Sequence, residues 1–314
     1  MNIISNIKKE VSKVMVGQEE LINALLMGII SDGHILVEGV PGLAKTTAIN
    51  AIAKSLGIDF KRVQFTPDLL PSDVTGSEIY NPKTGEFKIK KGPIFTNLLL
   101  ADEINRAPAK VQSSLLEVMQ EKQVTIGTET FHIDKPFLVM ATQNPVEQEG
   151  AYSLPEAQLD RFMLKINVGY NTLEEEQEVV QRVVVNGFED ITQVANKEDI
   201  FKLKNEMKNV HVDEALSKYM MELVFATRNP KEYGLDSYSK YIEYGVSPRA
   251  SIDLYKASCA HAIINGKDYV SPLDISSVLK SVFGHRLILS YWAQVEDITI
   301  DDIIEELLRN IKRP

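Results

Sequence analysis

The chain has 314 residues, 44% hydrophobic and 25% charged, a composition that supports a large buried core and more than one domain and excludes a disordered protein. A formal charge of −10 argues against a nucleic-acid-wrapping surface and leaves only a local basic groove open. Its short, interrupted apolar runs predict no membrane insertion, the first residues lack a signal-peptide core, and the single cysteine, Cys259, fits a reducing cytoplasm.

Ile3, Ile7, Val11 and Val14, then Leu21, Leu25 and Ile29, recur at helical spacing, so residues 3–31 are expected to be helical, with a turn at Val16-Gly17-Gln18. The apolar run 35–38 predicts a strand that enters a Pro/Gly-rich turn, and Lys45-Thr46-Thr47 open an Ala-rich helix that should stop at Gly57. Strand, turn and helix N-terminus form the context of a phosphate-binding loop. The turn's N–H groups can point inward, and the helix dipole adds roughly half a positive charge. Lys45 would neutralise the β- and γ-phosphates of a nucleotide, and the Thr46 hydroxyl would ligate Mg²⁺.

The loop itself runs Gly39, Val40, Pro41, Gly42, Leu43, Ala44, Lys45, Thr46, with Ala44 where the G-x-x-x-x-G-K-[ST] pattern has its second glycine. Left-handed backbone angles cost alanine about 1 kcal/mol or more, so Gly42 is expected to carry part of the turn. The competing reading is a plain βα turn with a surface lysine.

FKRVQFT (60–66) predicts a short strand, and Thr66-Pro67-Asp68 has the N-cap, N1 proline and first-turn acid of a helix start. Residues 76–93 read as a surface hairpin around Asn81–Gly85. NLLLADEI (97–104) is a buried strand ending in two acids, and Ala107 to Lys122 an amphipathic helix. A second hairpin, 124–133, and a second apolar strand, 136–145, follow. Alternating strands and helices with near-continuous apolar strands predict an α/β doubly wound domain on a parallel sheet. From about 171 the strand signals fade. Thr172–Glu175 is a capping box, and 198–208, 213–228, 247–264 and 272–288 read as helices, the last two begun by Ser247-Pro248 and Ser271-Pro272. A boundary near 190 is therefore expected, giving an α/β domain over 1–190 and a helical one over 191–314.

Asp102 and Glu103 are costly at the end of a buried strand unless they meet a cation or move protons. In an ATPase the first can hold the Mg²⁺ shell and the second can polarise the attacking water; otherwise they cap the next helix. Asn144 ends the following buried strand, on the carboxyl side where ligands of such sheets bind. There it could face the γ-phosphate, or simply form a turn before Pro145.

GVPGLAKT, LLLADEINRAPAKVQSSLLEVMQE, ATQNPVEQEGAYSLPEAQLDRF and GVSPRAS together resemble the MoxR family of AAA+ ATPases, over nearly the whole chain. The family's own loop is similar to GVPGLAKT, which accounts for Ala44. The resemblance implies a P-loop three-layer α/β/α domain followed by a smaller all-α lid. It places Walker A on Gly39 to Thr46, with Thr47 beside it, Walker B on Asp102 and Glu103, and sensor-1 on Asn144. Gly17 and Gln18 match the segment that packs on adenine. Arg161 matches an arginine finger reaching the neighbouring subunit's nucleotide, a role worth roughly 10³–10⁵ in rate in related systems; without the match, an ion pair near Asp160 is the simpler reading. Arg249 matches sensor-2. A cation in a helix's first turn opposes the dipole unless an anion lies beside it.

The resemblance also implies ATP and Mg²⁺ as cofactors and a homo-oligomeric ring, a hexamer by expectation. It further implies client proteins, partners carrying a von Willebrand factor A domain, and a chaperone role that includes metal-cofactor insertion. The hairpins at 76–93 and 124–133 match pore-rimming inserts, so Ile79, Tyr80 and Phe87 are candidate substrate contacts or ordinary hairpin packing. Arg106 reads as a solvent-facing helix-start residue; Cys259, His261, Met220, Met221 and Trp292 read as core or interface. The alternatives are a DNA-dependent AAA+ motor, disfavoured by the −10 charge, a magnesium-chelatase-like motor subunit, and a small-molecule kinase.

Overall fold

The structure is a computed structural model describing residues 3–83, 85–145, 152–187 and 189–314; the part of the QNPVEQEGAY motif at 146–151 lies outside the described residues. The chain divides into two compact units, Met1–Gln158 with Ile166–Phe201, and Leu159–Lys165 with Lys202–Pro314.

The first part of the chain carries α1 (Ile3–Val11), α2 (Glu19–Ser31), β1 (Ile35–Glu38), α3 (Lys45–Leu56), β2 (Phe60–Gln64), α4 (Pro71–Thr75), β3 (Gly76–Asn81) and β4 (Glu86–Lys91). After these come β5 (Leu98–Asp102), α5 (Ala109–Glu121), β6 (Gln123–Ile126), β7 (Glu129–His132), β8 (Leu138–Gln143), α6 (Glu156–Leu159), β9 (Leu164–Asn167) and α7 (Leu173–Val180). Five strands form one sheet in the order β2-β5-β8-β1-β9, and the β2–β5, β5–β8 and β8–β1 pairs are parallel. Leu98 to Ala101, Leu138 to Ala141 and Ile35 to Val37 are all buried, so the middle of the sheet is covered on both faces, as its unbroken apolar runs require. β2 is an edge strand with three exposed positions out of five, and those positions carry Lys61, Arg62 and Gln64.

Both hairpins form as expected, β3 with β4 and β6 with β7. The helix expected at Thr66-Pro67 does not. Residues 67–68 form a turn, with the Thr66 hydroxyl donating to Asp68 at 2.6 Å, and the helix starts at Pro71 instead. Pro71 provides the preset N1 angle there, and Asp73 accepts the Leu70 N–H at 2.8 Å. The Thr172–Glu175 capping box is formed by reciprocal bonds of 3.3 and 2.9 Å.

The second part carries α8 (Lys197–Lys208), α9 (Glu214–Arg228), β10 (Ile242–Tyr244), α10 (Pro248–Ile264), α11 (Pro272–Phe283), β11 (Ile288–Leu289), α12 (Tyr291–Val295) and α13 (Ile300–Asn310). α10 packs on α11, and both helices bury apolar residues, Ala250, Ala257 and Ala260 on the first and Ile275, Val278 and Val282 on the second. α11 ends at Phe283, five residues short of the expected 288, because Ile288 and Leu289 leave the helix to pair with β10. Met220 and Cys259 are core residues. Trp292 is not: it is 56% exposed, stacked edge-on with Tyr291.

Candidate nucleotide site

The site lies at the carboxyl end of the central strands. Gly39 follows β1, and the chain turns through Gly42 at φ 89° and Ala44 at φ 54° into α3. Both residues adopt left-handed angles, so Gly42 shares the turn without relieving Ala44. Glu103 (φ 55°) and Gln18 (φ 58°) are also non-glycine residues in this conformation. Three of the chain's strained positions therefore fall on expected site residues, a pattern common where surrounding structure holds a ligand-binding geometry.

Gly39, Pro41 to Thr47, Arg62, Asp102, Glu103, Thr142, Gln143 and Asn144 line one cavity of ≈ 430 Å³. The Lys45 ammonium donates to the Gly39 carbonyl at 2.5 Å. Burial lowers the Lys45 pKa from the usual lysine value, while Asp102 and Glu103 act to raise it.

The two acids are held by residues that the sequence reading did not single out. Asp102 accepts from Arg62 at 2.6 and 3.0 Å and from the Thr142 hydroxyl at 2.6 Å. Thr142 Oγ1 in turn accepts the Glu103 N–H at 2.8 Å. Glu103 accepts the Gln64 side-chain amide at 2.7 Å and pairs with Arg106 at 3.4 Å, so the Arg106 side chain faces an acid as well as solvent. A hydroxyl in an otherwise apolar strand and two polar outward positions on an edge strand were the available signals for Thr142, Arg62 and Gln64. Asn144 is buried at 7% exposure at this same end.

A second cavity of ≈ 420 Å³ shares Pro41 to Ala44 and Thr47 with the first and is otherwise lined by Val14, Met15, Val16, Gln18, Tyr170, Asn171 and part of α7. Val40 is in the loop but not among the residues lining either cavity. Gln18 donates to the Gly169 carbonyl at 3.0 Å and the Asn171 side chain at 2.8 Å. Gly17 precedes Gln18 without lining either cavity; it has φ 68°, the left-handed region that glycine adopts without strain, and the end of the Glu175 side chain lies beside it. Together the two cavities offer the loop one polar and one more apolar neighbour, each within the size range of small-molecule sites.

Arg161 and Arg249 belong to the second unit. Arg249 is the second residue of α10, its N–H donates to Ser247 Oγ at 3.1 Å, and its guanidinium pairs with Asp160 at 3.3 Å. The anion expected beside this helix start is thus present as a side chain.

Residues 34–164 match the signature of the ATPase family associated with various cellular activities (AAA), and residues 238–307 that of the AAA lid domain. The fold and the loop thus define an AAA+ ATPase with its lid. The chain is 47% identical over 305 residues to the chaperone MoxR1 of Mycobacterium tuberculosis, covering 97% of this chain and 81% of that one. It is 45% identical to the protein YeaC of Bacillus subtilis (98% and 93% covered) and 31% to the protein MoxR of Paracoccus denitrificans (88% and 86%). A crystal structure from Cytophaga hutchinsonii, of a protein proposed to be an ATPase, superposes with a TM-score of 0.94 at 54% identity, over 99% of this chain and 95% of that one. The chain belongs to the MoxR family of AAA+ ATPases.

Proposed function

We propose that this chain hydrolyses ATP to ADP and phosphate in a Mg²⁺-dependent reaction and uses the energy to remodel client proteins. What carries the reading is that Lys45, Thr46, Asp102, Glu103 and Asn144, from three separate segments, line one cavity beneath the turn that opens α3. The loop N–H groups and Lys45 would bind the phosphates. The donor set suits Mg²⁺, since a hydroxyl (Thr46) and a carboxylate (Asp102) are hard oxygen ligands lining the same space; these two residues would hold it. When bound, Mg²⁺ supplies charge neutralisation at the phosphate oxygens. Glu103 would orient the attacking water and take its proton, with Asn144 fixing the water's position. Gln18 would wall the base in the second cavity, with Gly17 turning the chain into it.

In this reading subunits assemble as a ring, a hexamer by expectation, and Arg161 completes a neighbour's site while Arg249 reports nucleotide state. The name of the Mycobacterium tuberculosis relative supports a chaperone role. Maturation of protein complexes, metal-cofactor insertion and partnership with von Willebrand factor A-domain proteins are extensions of the same proposal, as is a cytoplasmic location. Among the described residues, no helix is long and apolar enough to cross a membrane. Phosphate release by the intact chain and by Glu103→Gln tests the core of the proposal. The variant should bind ATP with little change while turnover falls on the order of 100-fold or more; unchanged turnover would remove Glu103 from this role.

A further inference from the structure

We infer that Asp160 and Arg286 are positioning residues that fix Arg161 and Arg249, an inference resting on the proposed function, which gives those two arginines their roles at a phosphate. The Arg286 side chain is 1% exposed, yet it is charged. A buried guanidinium is tolerated only where its donors are met. Here they are over-subscribed. Nε donates to Asp160 at 2.9 Å and one terminal nitrogen to Asp253 at 2.5 Å, and the rest reach the carbonyls of Asp160, Phe162, Met163 and Val282 at 2.7 to 3.2 Å.

Three of those carbonyls flank Arg161 in sequence. His285 adds a fourth bond to the same stretch, donating from Nε2 to the Phe162 carbonyl at 2.8 Å. Burial first, and the neighbouring Arg286 second, keep that imidazole neutral, which fits its single-donor role. The backbone on both sides of Arg161 is therefore fastened to the turn that follows α11.

Asp160 links this fastening to the other arginine. Its Oδ1 accepts from Arg286 and from the Ser247 hydroxyl at 2.7 Å, and its Oδ2 accepts from Arg249 at 3.3 Å. Ser247 is the N-cap of α10, so one carboxylate grips the helix start that carries Arg249 twice, through the cap and through the guanidinium. Asp253 lies four residues after Arg249, on the same face of α10, and ties that face to Arg286 as well. Two arginines and two aspartates thus balance in charge. Removing one charge leaves the other three mismatched.

Asp160→Asn keeps the shape and removes the charge. Its expected effect, measured as phosphate release at saturating ATP, is a fall in kcat of about 10-fold, with circular dichroism showing a folded chain. In an Arg249→Ala background the same change should cost less than about 3-fold, because the residue it acts through is gone. Asp301→Asn, which breaks only the exposed Lys280–Asp301 pair of the same unit, serves as the control and should leave turnover unchanged. If Asp160→Asn does not fold, Asp160→Glu, which keeps the charge and shifts it by one methylene, is read the same way. Turnover within twofold of the parent or above it, or equal effects with and without Arg249, would overturn the inference. Loss of turnover in Lys45→Ala alongside a parent-like Asp160→Asn rejects the positioning role alone. Turnover that persists in Lys45→Ala, or none in the parent chain, rejects the ATPase reading and this inference with it.

Discussion

Gln64 on β2 donates its side-chain amide to Glu103, the residue after β5, at 2.7 Å. The acid proposed to activate water is therefore held by a neighbouring strand before it meets a substrate. Orientation of a general base commonly decides its effectiveness more than its identity does.

Gln64→Ala should accordingly leave nucleotide affinity near the parent value while changing kcat several-fold, since Gln64 touches Glu103 and is not among the residues lining the cavity. Comparing Kd for an ATP analogue with kcat checks this. A large loss of affinity with kcat preserved would place Gln64 in binding instead.

Lys45→Ala should abolish detectable turnover and weaken ATP binding by at least tenfold, measured by titration with a fluorescent analogue. The folded state should survive, because the exchange removes one hydrogen bond to Gly39 and a charge whose burial is unfavourable.

Mixing tests the proposed ring and its division of labour between subunits. Rings of Arg161→Ala alone and of Lys45→Ala alone should both be slow, and mixed rings should regain some sites with an intact loop facing an intact finger. Recovery of phosphate release on mixing is the expected outcome; none in verified mixed rings would place Arg161 outside a neighbour's site.

Ala44 offers a backbone test. At φ 54°, Ala44→Gly relieves the left-handed penalty and loosens the unfolded chain by a similar amount, so the net change in stability should stay within about 0.5 kcal/mol. Ala44→Val should cost about 1–2 kcal/mol by urea unfolding, since β-branching makes the same angles worse.

His34 sets a pH dependence in the core. It is 5% exposed, its Nε2 donates to the Met119 carbonyl at 3.0 Å, and its Nδ1 accepts the Val139 N–H at 3.0 Å, so only the neutral ring satisfies both partners. Burial first lowers its pKa from 6.5 to about 4. The unfolded chain then takes up the proton more readily than the folded one. This stability is fully present above pH 6.5 and is lost as the pH falls toward 4, by about 2–3 kcal/mol at pH 4.5. Urea unfolding at pH 7.5 and 4.5 should show that loss shrinking in His34→Gln.

The sheet and the loop were readable because they rest on local signals. Unbroken apolar runs gave β5 and β8, and a glycine turn before Lys45-Thr46 gave the turn between β1 and α3. Gly57 ended α3 as expected, at φ 60°. What escaped was decided by partners far along the chain. Thr142 sits 40 residues from the Asp102 carboxylate it binds, and Arg286 sits 126 from Asp160. A lone threonine in a strand or an arginine after a helix carries no local mark of such a partner. The helix start at Pro67 failed for a different, local reason: a second proline, Pro71, with Asp73 at the third helical position, competed four residues later.

The division of the chain into units has a practical consequence for anyone dissecting it. The polypeptide passes from one unit to the other at three places, after Gln158, after Lys165 and after Phe201. A protease that cuts once near residue 201 separates 1–201 from 202–314 covalently, but the first fragment still carries residues 159–165 of the second unit, bonded to Arg286, so the fragments should stay together noncovalently until denatured. Expressing residues 1–190 alone would keep Phe162, which is 0% exposed in the whole chain, while deleting His285 and Arg286, to which its carbonyl is bonded. Neither unit is therefore a single stretch of sequence that can be cut out whole.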